Sequence, residues 1–182
     1  MIEDELKHQL CELLRDGIRN RVILSGLFLT CPTSATQTLA DLIGSAAYEI
    51  IEDNSIWNPY PKFMVDVIGN MTPDIVIRAS ASGENRIYIE VKKTRPIGHD
   101  RETSQVIRYF LHLLAFTSRG KPGDIRRAII LAAPSSWFKK PRNADDWQYF
   151  INTYRDLASG FSIILAELRL DSLLPNCLSP ST

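Results

Sequence analysis

The stretch "TPDIVIRASASGENRIYIEVKK" (residues 72–93) places an aspartate, a glutamate and a lysine in two segments that otherwise alternate isoleucine with polar residues. An alternation with a period of two predicts two β-strands, each with one buried face. The residues Ala-Ser-Gly (81–83) between them are typical of a three-residue hairpin loop, with Gly83 in the left-handed conformation. We therefore predict a β-hairpin that carries charged residues on one of its faces.

The length of this loop decides which side chains meet across the hairpin. A three-residue loop pairs Ser80 with Glu84, and the same register sets Asp74 directly opposite Glu90. Because alternate residues of a strand share a face, Lys92 points the same way as Glu90. A shift of one residue in the register would separate the two carboxylates, so this arrangement depends on the turn.

Two carboxylates that face each other repel unless a cation lies between or beside them. Lys92 supplies one positive charge, and a hard divalent cation would supply more. A metal ion held by carboxylates favours hydrolysis of phosphodiesters, because it lowers the pKa of its water and stabilises developing negative charge. The alternative is a solvated, charged outer face of an ordinary antiparallel sheet.

The order Pro73-Asp74, fifteen residues, then Glu90-Val91-Lys92 resembles the motif of the PD-(D/E)XK nuclease superfamily. The resemblance implies an α/β protein with a restriction-endonuclease-like αβββαβ core, a mixed central sheet flanked by helices. An N-terminal helix and a C-terminal helix-strand extension would be added to it. Residues 34–133 can be aligned with the core in that order.

What the resemblance implies for the site is hydrolysis of phosphodiester bonds with Mg²⁺ or Mn²⁺. The metal ligands would be the carboxylates of Asp74 and Glu90 and the main-chain carbonyl of Val91, and Lys92 would position or activate the attacking water. Many members of the superfamily carry a further acid on the helix before the sheet. Glu49 is the best match for it and Glu52 is the second choice; a solvated glutamate at the end of a helix is the alternative for both.

A second motif lies on the helix predicted after the hairpin. Gln105 and Tyr109 resemble the Gln-x-x-x-Tyr pattern of the RecB-like branch, and His112 continues the same helix face. This row would contact a phosphate or a terminal nucleotide; the alternative is that these residues have only a structural role on the helix. Basic residues close to the motif in sequence would bind flanking phosphates: Lys93, Arg95, Arg101 and Arg108.

Periodicity predicts the remaining elements. Helices are expected over residues 2–19, from a capping box at Ser34 and Gln37 to Glu52, over 100–118, and from an Asn143 cap to Ala158. Strands are expected over 62–68, 126–134 and "FSIILAELRL" (161–170), while "VILSGLFL" (22–29) is a buried strand or another core segment. Trp137 and Phe138 precede basic residues in a predicted loop, which is either a clamp for a nucleic-acid strand or a solvated loop with one buried aromatic ring.

Composition predicts the class of protein. The 182 residues include 45% hydrophobic ones, enough for a core, and we expect one domain over residues 1–170 with a loosely ordered tail over 171–182. Three dispersed cysteines without metal-ligand spacing, an N-terminus unlike a signal peptide and only short apolar runs favour a cytoplasmic protein that does not enter a membrane.

The formal net charge is zero, from 21 basic and 21 acidic residues. A homodimer or a partner protein would therefore supply part of the grip on a nucleic acid. The sequence favours a metal-dependent nuclease, an endonuclease in the first instance, with DNA preferred over RNA because most members of the superfamily act on DNA. A catalytically silent nuclease-fold module that binds nucleic acid or protein is the alternative. A nucleotide-binding enzyme is not supported, because the sequence has no glycine-rich phosphate-binding motif.

Overall fold

The computed structural model describes residues 3–32, 37–52, 73–97 and 104–171. These residues form an α/β domain around a mixed seven-stranded sheet with the strand order β2-β1-β7-β6-β5-β4-β3. The strands are β1 (Phe28–Thr30), β2 (Gln37–Thr38), β3 (Tyr48–Ile51), β4 (Ile75–Ala79), β5 (Asn85–Val91), β6 (Arg127–Ala133) and β7 (Ile163–Arg169). The helices are α1 (Glu3–Arg19), α2 (Arg21–Ser25), α3 (Leu39–Ile43), α4 (Gln105–Phe116), α5 (Ser135–Phe138) and α6 (Pro141–Gly160).

The sheet combines an antiparallel half with a parallel centre. Strands β3, β4 and β5 form an antiparallel meander, and α4 then connects β5 to the parallel strand β6. Strand β7 extends the parallel part, and β1 and β2 complete the far edge in antiparallel orientation. Every residue of β6 is buried, as the continuous apolar run predicts for a central strand covered on both faces.

Helices cover both faces of the sheet. On one face, leucines of α1, α2 and α3 pack against Ile75, Ile77, Ile87 and Ile89 of the hairpin. On the other face, α4 and α6 pack against Tyr88, Ile129, Leu131 and Leu165. The alternation in the hairpin therefore has the predicted meaning: its isoleucines face one helical layer, and the charged residues face the side of the sheet that α4 covers.

The long helix predicted from Ser34 to Glu52 is wrong. Thr38 caps α3 through a capping box with Asp41, and α3 ends after five residues at Gly44, whose φ is 60°. Residues 48–51, Tyr-Glu-Ile-Ile, pair with β4 as the strand β3 instead. Aromatic and β-branched residues favour an extended strand against a neighbour over continuation of a helix.

Smaller differences concern the ends of the other elements. In the ambiguous apolar run 22–29, residues 22–25 belong to helix α2 and residues 28–29 belong to strand β1. Helix α6 begins at Pro141 rather than after Asn143, which is buried and donates from its side chain to the carbonyl of Trp137 at 3.4 Å. The strand predicted over 62–68 and most of the tail lie outside the described residues. Within the described part of the chain, no helix is both long and apolar enough to cross a membrane.

Candidate metal centre at the end of β5

The hairpin brings Asp74 next to Glu90 in the predicted register. Ile75 pairs with Ile89 and Ile77 with Ile87, so Asp74, one residue before Ile75, falls beside Glu90, one residue after Ile89. The Oδ2 atom of Asp74 accepts a hydrogen bond of 2.8 Å from the backbone N–H of Val91, which fixes the carboxylate against the end of β5.

The register of Asp74 and Glu90 is as predicted, but the loop that connects the two strands differs from the predicted three-residue loop. The N–H of Ala79 donates to the carbonyl of Glu84 at 2.9 Å, so the loop has four residues, Ser80 to Gly83, rather than three. A bulge near Arg86 then absorbs one residue of β5 and restores the offset. Gly83 has the predicted left-handed backbone, with a φ of 66°.

Glu90 is a buried acid whose two carboxylate oxygens contact two different donors. The Lys92 Nζ atom lies 2.6 Å from Oε1, and the Tyr109 hydroxyl donates to Oε2 at 2.7 Å. Only 1% of Glu90 is exposed. Burial, followed by the charge of Asp74, raises the pKa of Glu90 to about 7, although Lys92 and Tyr109 act in the opposite direction. Burial also raises the pKa of Asp74.

Lys92 carries its positive charge among three acids. Its Nζ atom lies 2.6 Å from Glu90 and 3.5 Å from Oε1 of Glu3, and the residue is 8% exposed. Burial alone would lower the pKa of this ammonium group, but the negative charges of Glu90, Asp74 and Glu3 outweigh burial and raise it. Lys92 is therefore a buried ammonium group rather than a free amine.

Glu3 is a member of this cluster that the sequence patterns did not indicate. It lies in the first turn of α1, and its Oε2 atom accepts a hydrogen bond of 3.1 Å from the backbone N–H of Lys93. Acids in a first turn usually indicate only a favourable helix dipole. Nothing local indicates that this turn meets the end of a strand about ninety residues away.

The two acids proposed for the preceding helix do not join the cluster. Glu49 is an exposed residue of β3 and pairs with Arg78 of β4. Arg78 lies four residues after Asp74 in the chain, so Glu49 is away from the cluster. Glu52 lies 3.0 Å from both His8 Nδ1 and Arg15 Nη2 of α1. The helical position predicted for Glu49 is wrong because residues 48–51 are a strand.

Two of the predicted nucleic-acid contacts are also corrected. Tyr109 is fully buried and His112 is 2% exposed, so neither side chain is available to a nucleic acid. His112 Nδ1 instead lies 2.6 Å from the Tyr88 hydroxyl, and burial lowers the pKa of His112 to about 4. The other predicted contacts that the structure describes stay predictions: Gln105, Lys93 and Arg108 are half-buried, and Arg95 is exposed. Arg101 lies outside the described residues.

The aromatic pair after β6 belongs to the packing of the domain. Residues 135–138 form the short helix α5 rather than a loop. Trp137 is fully buried, and its indole N–H donates to the carbonyl of Arg95 at 2.7 Å. The Arg169 guanidinium lies 3.7 Å from the centre of the Phe138 ring. The buried Trp137 ring agrees with the second of the two interpretations left open for the pair, but the loop predicted in both is wrong.

A metal ion at this place would be held by the carboxylates of Asp74 and Glu90. Among the described residues, no three histidine, cysteine, aspartate or glutamate side chains are grouped closely enough for a ready-made metal site. Asp74 and Glu90 do provide two adjacent carboxylates, and the pKa of each is raised. Hard oxygen donors of this kind suit Mg²⁺, which takes one or two carboxylates and keeps several waters. The residues therefore fit such an ion.

Comparisons of the chain with protein-family models, with curated proteins and with solved structures found no match.

Proposed function

We propose that the protein is a divalent-metal-dependent nuclease that hydrolyses phosphodiester bonds, with DNA preferred over RNA. One observation carries the proposal: Asp74 and Glu90 are adjacent acids at the end of β5, with the buried ammonium group of Lys92 beside them. Isolated buried carboxylates are costly unless paired. When both are ionised, the buried Glu90 and the half-buried Asp74 beside one lysine leave a net negative charge that a cation would balance.

Asp74 and Glu90 would hold Mg²⁺ or Mn²⁺, together with the main-chain carbonyl of Val91. When bound, such an ion stabilises the negative charge that develops on a phosphodiester during hydrolysis. The raised pKa of Glu90 fits this role, because a cation would replace the proton that burial and Asp74 otherwise favour.

Lys92 would orient the attacking water and stabilise the phosphoryl oxygens. The oxygen of water would form a new bond to phosphorus and lose a proton to the solvent, while one P–O ester bond breaks and the leaving oxygen takes a proton from the solvent. The products are a phosphate monoester and a hydroxyl group. Because the pKa of Lys92 is raised, its contribution is that of a fixed positive charge rather than a base that removes the proton of water.

The order of elements supports the finer fold assignment within this proposal. The antiparallel meander β3–β5, the crossover helix α4 and the parallel strand β6 follow one another in the order of the restriction-endonuclease-like core. Helix α1 precedes them in the chain, with α2, β1, β2 and α3 between α1 and β3. In this interpretation α1, rather than the predicted helix ending at Glu52, is the helix before the sheet. Glu3 replaces Glu49 as its acid near the site.

The proposal is tested by incubating the protein with supercoiled plasmid, linear duplex DNA, single-stranded DNA and RNA. Each substrate is supplied with Mg²⁺, Mn²⁺ or EDTA. We expect cleavage that requires metal and disappears in Asp74→Ala and Lys92→Ala. Glu49→Ala is a matched control, since it removes an exposed acid outside the cluster. Cleavage that survives in Asp74→Ala and Lys92→Ala contradicts the proposal.

A catalytically silent module is the second candidate, and one observation favours it. Both oxygens of Glu90 already contact protein donors, and Lys92 is near two glutamates, as in an ion-pair network that only stabilises a fold. Binding of nucleic acid without cleavage in any metal would establish this alternative. In that case Asp74→Ala would change stability without changing binding.

A further inference from the structure

The second hydrogen bond to Glu90 comes from α4, on the layer that covers the sheet. The Tyr109 hydroxyl donates to Oε2 at 2.7 Å, while Lys92 lies at Oε1. Tyr109 is fully buried, so it cannot reach a substrate. Among the described residues its hydroxyl donates to Oε2 of the acid that lies beside Asp74, and this hydrogen bond holds one carboxylate oxygen in place.

We infer that Tyr109 is a positioning residue, whose hydroxyl holds the Glu90 carboxylate in the orientation needed to share a cation with Asp74. The inference rests on the proposed function of the site. A carboxylate on a rotatable side chain has several orientations, and donors on both oxygens select one of them. Each oxygen keeps a further lone pair, so the two donors leave room for a metal bond.

Burial and the negative charge of Glu90 raise the pKa of Tyr109 well above its ordinary value. A tyrosine hydroxyl is already protonated at neutral pH at its ordinary pKa of about 10, and here it donates to Oε2 of Glu90 at 2.7 Å. Lys92 and Tyr109 have different effects on Glu90. The ammonium group adds a positive charge to the site, whereas the uncharged hydroxyl only fixes the orientation of the carboxylate. Replacing Tyr109 by phenylalanine removes the hydrogen bond that orients Glu90 and leaves the charges of the site unchanged.

Tyr88 is a matched control for this substitution. Its ring is also fully buried, its centre lies 5.6 Å from that of Tyr109, and its hydroxyl lies 2.6 Å from His112 rather than from an acid of the site. Tyr88→Phe and Tyr109→Phe each remove one buried hydroxyl from the same hydrophobic cluster between the sheet and α4. A loss of Mn²⁺ affinity or cleavage in both variants would come from disturbed packing. A loss in Tyr109→Phe alone would come from the changed hydrogen bond to Glu90.

The test titrates Mn²⁺ into the wild type and the two variants by calorimetry and measures plasmid cleavage. Changing an outer-shell partner of a metal ligand typically costs roughly 10–100-fold in affinity, and we expect this loss in Tyr109→Phe only. For cleavage by Tyr109→Phe at saturating metal, kcat should fall while KM for DNA stays unchanged, because the side chain does not reach the substrate. Difference infrared spectra without metal should show a shifted Glu90 carboxylate band, identified by its absence in Glu90→Gln.

Several results would overturn the inference while leaving the proposed function in place. These are Mn²⁺ affinity in Tyr109→Phe within about twofold of the wild type, an equal loss in Tyr88→Phe, or a change in KM with kcat unchanged. A wild type that binds no Mn²⁺ and cleaves nothing overturns the proposed function, and the positioning role with it. The infrared shift would then show only that the hydrogen bond orients Glu90 within the fold.

Discussion

Two buried glutamates, Glu90 on β5 and Glu167 on β7, occupy similar places in the sheet. Leu131 of β6 lies in register with both, so the two acids belong to one row on the same face. They are 1% and 5% exposed. Each also has a cation two residues further along the chain and a buried ring donor: Glu167 accepts from Arg169 at 2.6 Å and from the Trp147 indole at 2.8 Å.

The two glutamates differ in the residues beside them on the neighbouring strands. Glu90 has Asp74 beside it, whereas the strand neighbours of Glu167 are Leu131 and Thr30. The cations differ too, because the Lys92 side chain is 10% exposed and that of Arg169 is 39% exposed. A buried acid with a cation and a ring donor is therefore not by itself a site. The second carboxylate is what turns the end of β5 into a candidate metal centre.

The largest expected difference between the two acids is in Mn²⁺ binding. Asp74→Asn and Glu90→Gln each remove a proposed metal ligand, so we expect a loss of affinity beyond the roughly 10–100-fold typical of outer-shell changes. Glu167→Gln should bind Mn²⁺ as the wild type does. Calorimetric titration measures all three variants, and an equal loss in Glu167→Gln would mean that the two acids are not distinct.

The cations should differ in their effect on stability. Lys92→Met leaves Glu90 and Asp74 without their buried partner, and breaking a buried pair costs about 3 kcal/mol or more of unfolding free energy. Arg169→Met removes a half-exposed partner and should cost no more than about 1 kcal/mol. Urea denaturation at pH 8 with EDTA gives both values. Similar losses for the two variants would contradict the distinction between a buried and an exposed pair.

The pH dependence of stability separates Glu90 from a second titrating group on the same face. The pKa of Glu90 is raised from 4.5 to about 7, so its contribution to stability is present below pH 4.5 and is lost as the pH rises to about 7. The pKa of His112 is lowered from 6.5 to about 4, so its contribution is present above pH 6.5 and is lost as the pH falls to about 4. Each effect amounts to about 3 kcal/mol.

In metal-free wild type these two effects oppose each other, so the contribution of the pair changes little between pH 4.5 and 6.5. Glu90→Gln should then reveal a rise in stability with pH from His112, and His112→Gln should reveal a fall from Glu90. Denaturant melts at several pH values measure both. Parallel curves for the wild type and Glu90→Gln would mean that Glu90 titrates as an ordinary acid.

The smallest effect is expected at the hairpin loop, which sets the register of Asp74 but has no part in the surroundings of Glu167. Gly83→Val places a β-branched residue at a φ of 66°, which costs about 1–2 kcal/mol, although no described atom lies within 4 Å of an added Cβ. Gly83→Asn should cost less, because asparagine tolerates this backbone. We expect weaker Mn²⁺ binding in Gly83→Val. Unchanged folding and affinity would show that the loop does not control the register.

The sequence predicts best those features that depend on residues close together in the chain. The hairpin, the central strand β6 and the helices α1 and α4 follow from periodicity that a few residues carry. The meeting of Asp74, Glu90 and Lys92 also follows from it, because the strands are adjacent in the chain. By contrast, Glu3 reaches Lys92 through packing of α1 across the sheet end, which no local pattern encodes.

Tyr109 shows the same limit in a helix. Its position on a face with Gln105 was predictable, yet the direction of that face was not, and the structure turns the tyrosine inward to Glu90. The predicted helix through Glu49 failed for a different reason. Apolar residues spaced for a helix continue past Gly44, but the residues that follow pair with β4.

The central claim is that the acids at the end of β5, and not buried acids in general, support hydrolysis. The most direct measurement is cleavage of supercoiled plasmid in Mn²⁺ by Glu90→Gln and Glu167→Gln side by side, with both variants shown to be folded. We predict that Glu90→Gln loses activity by about 10³-fold or more, since a catalytic metal supplies several kcal/mol, and that Glu167→Gln keeps it. Cleavage by Glu90→Gln at the rate of the wild type would contradict the account.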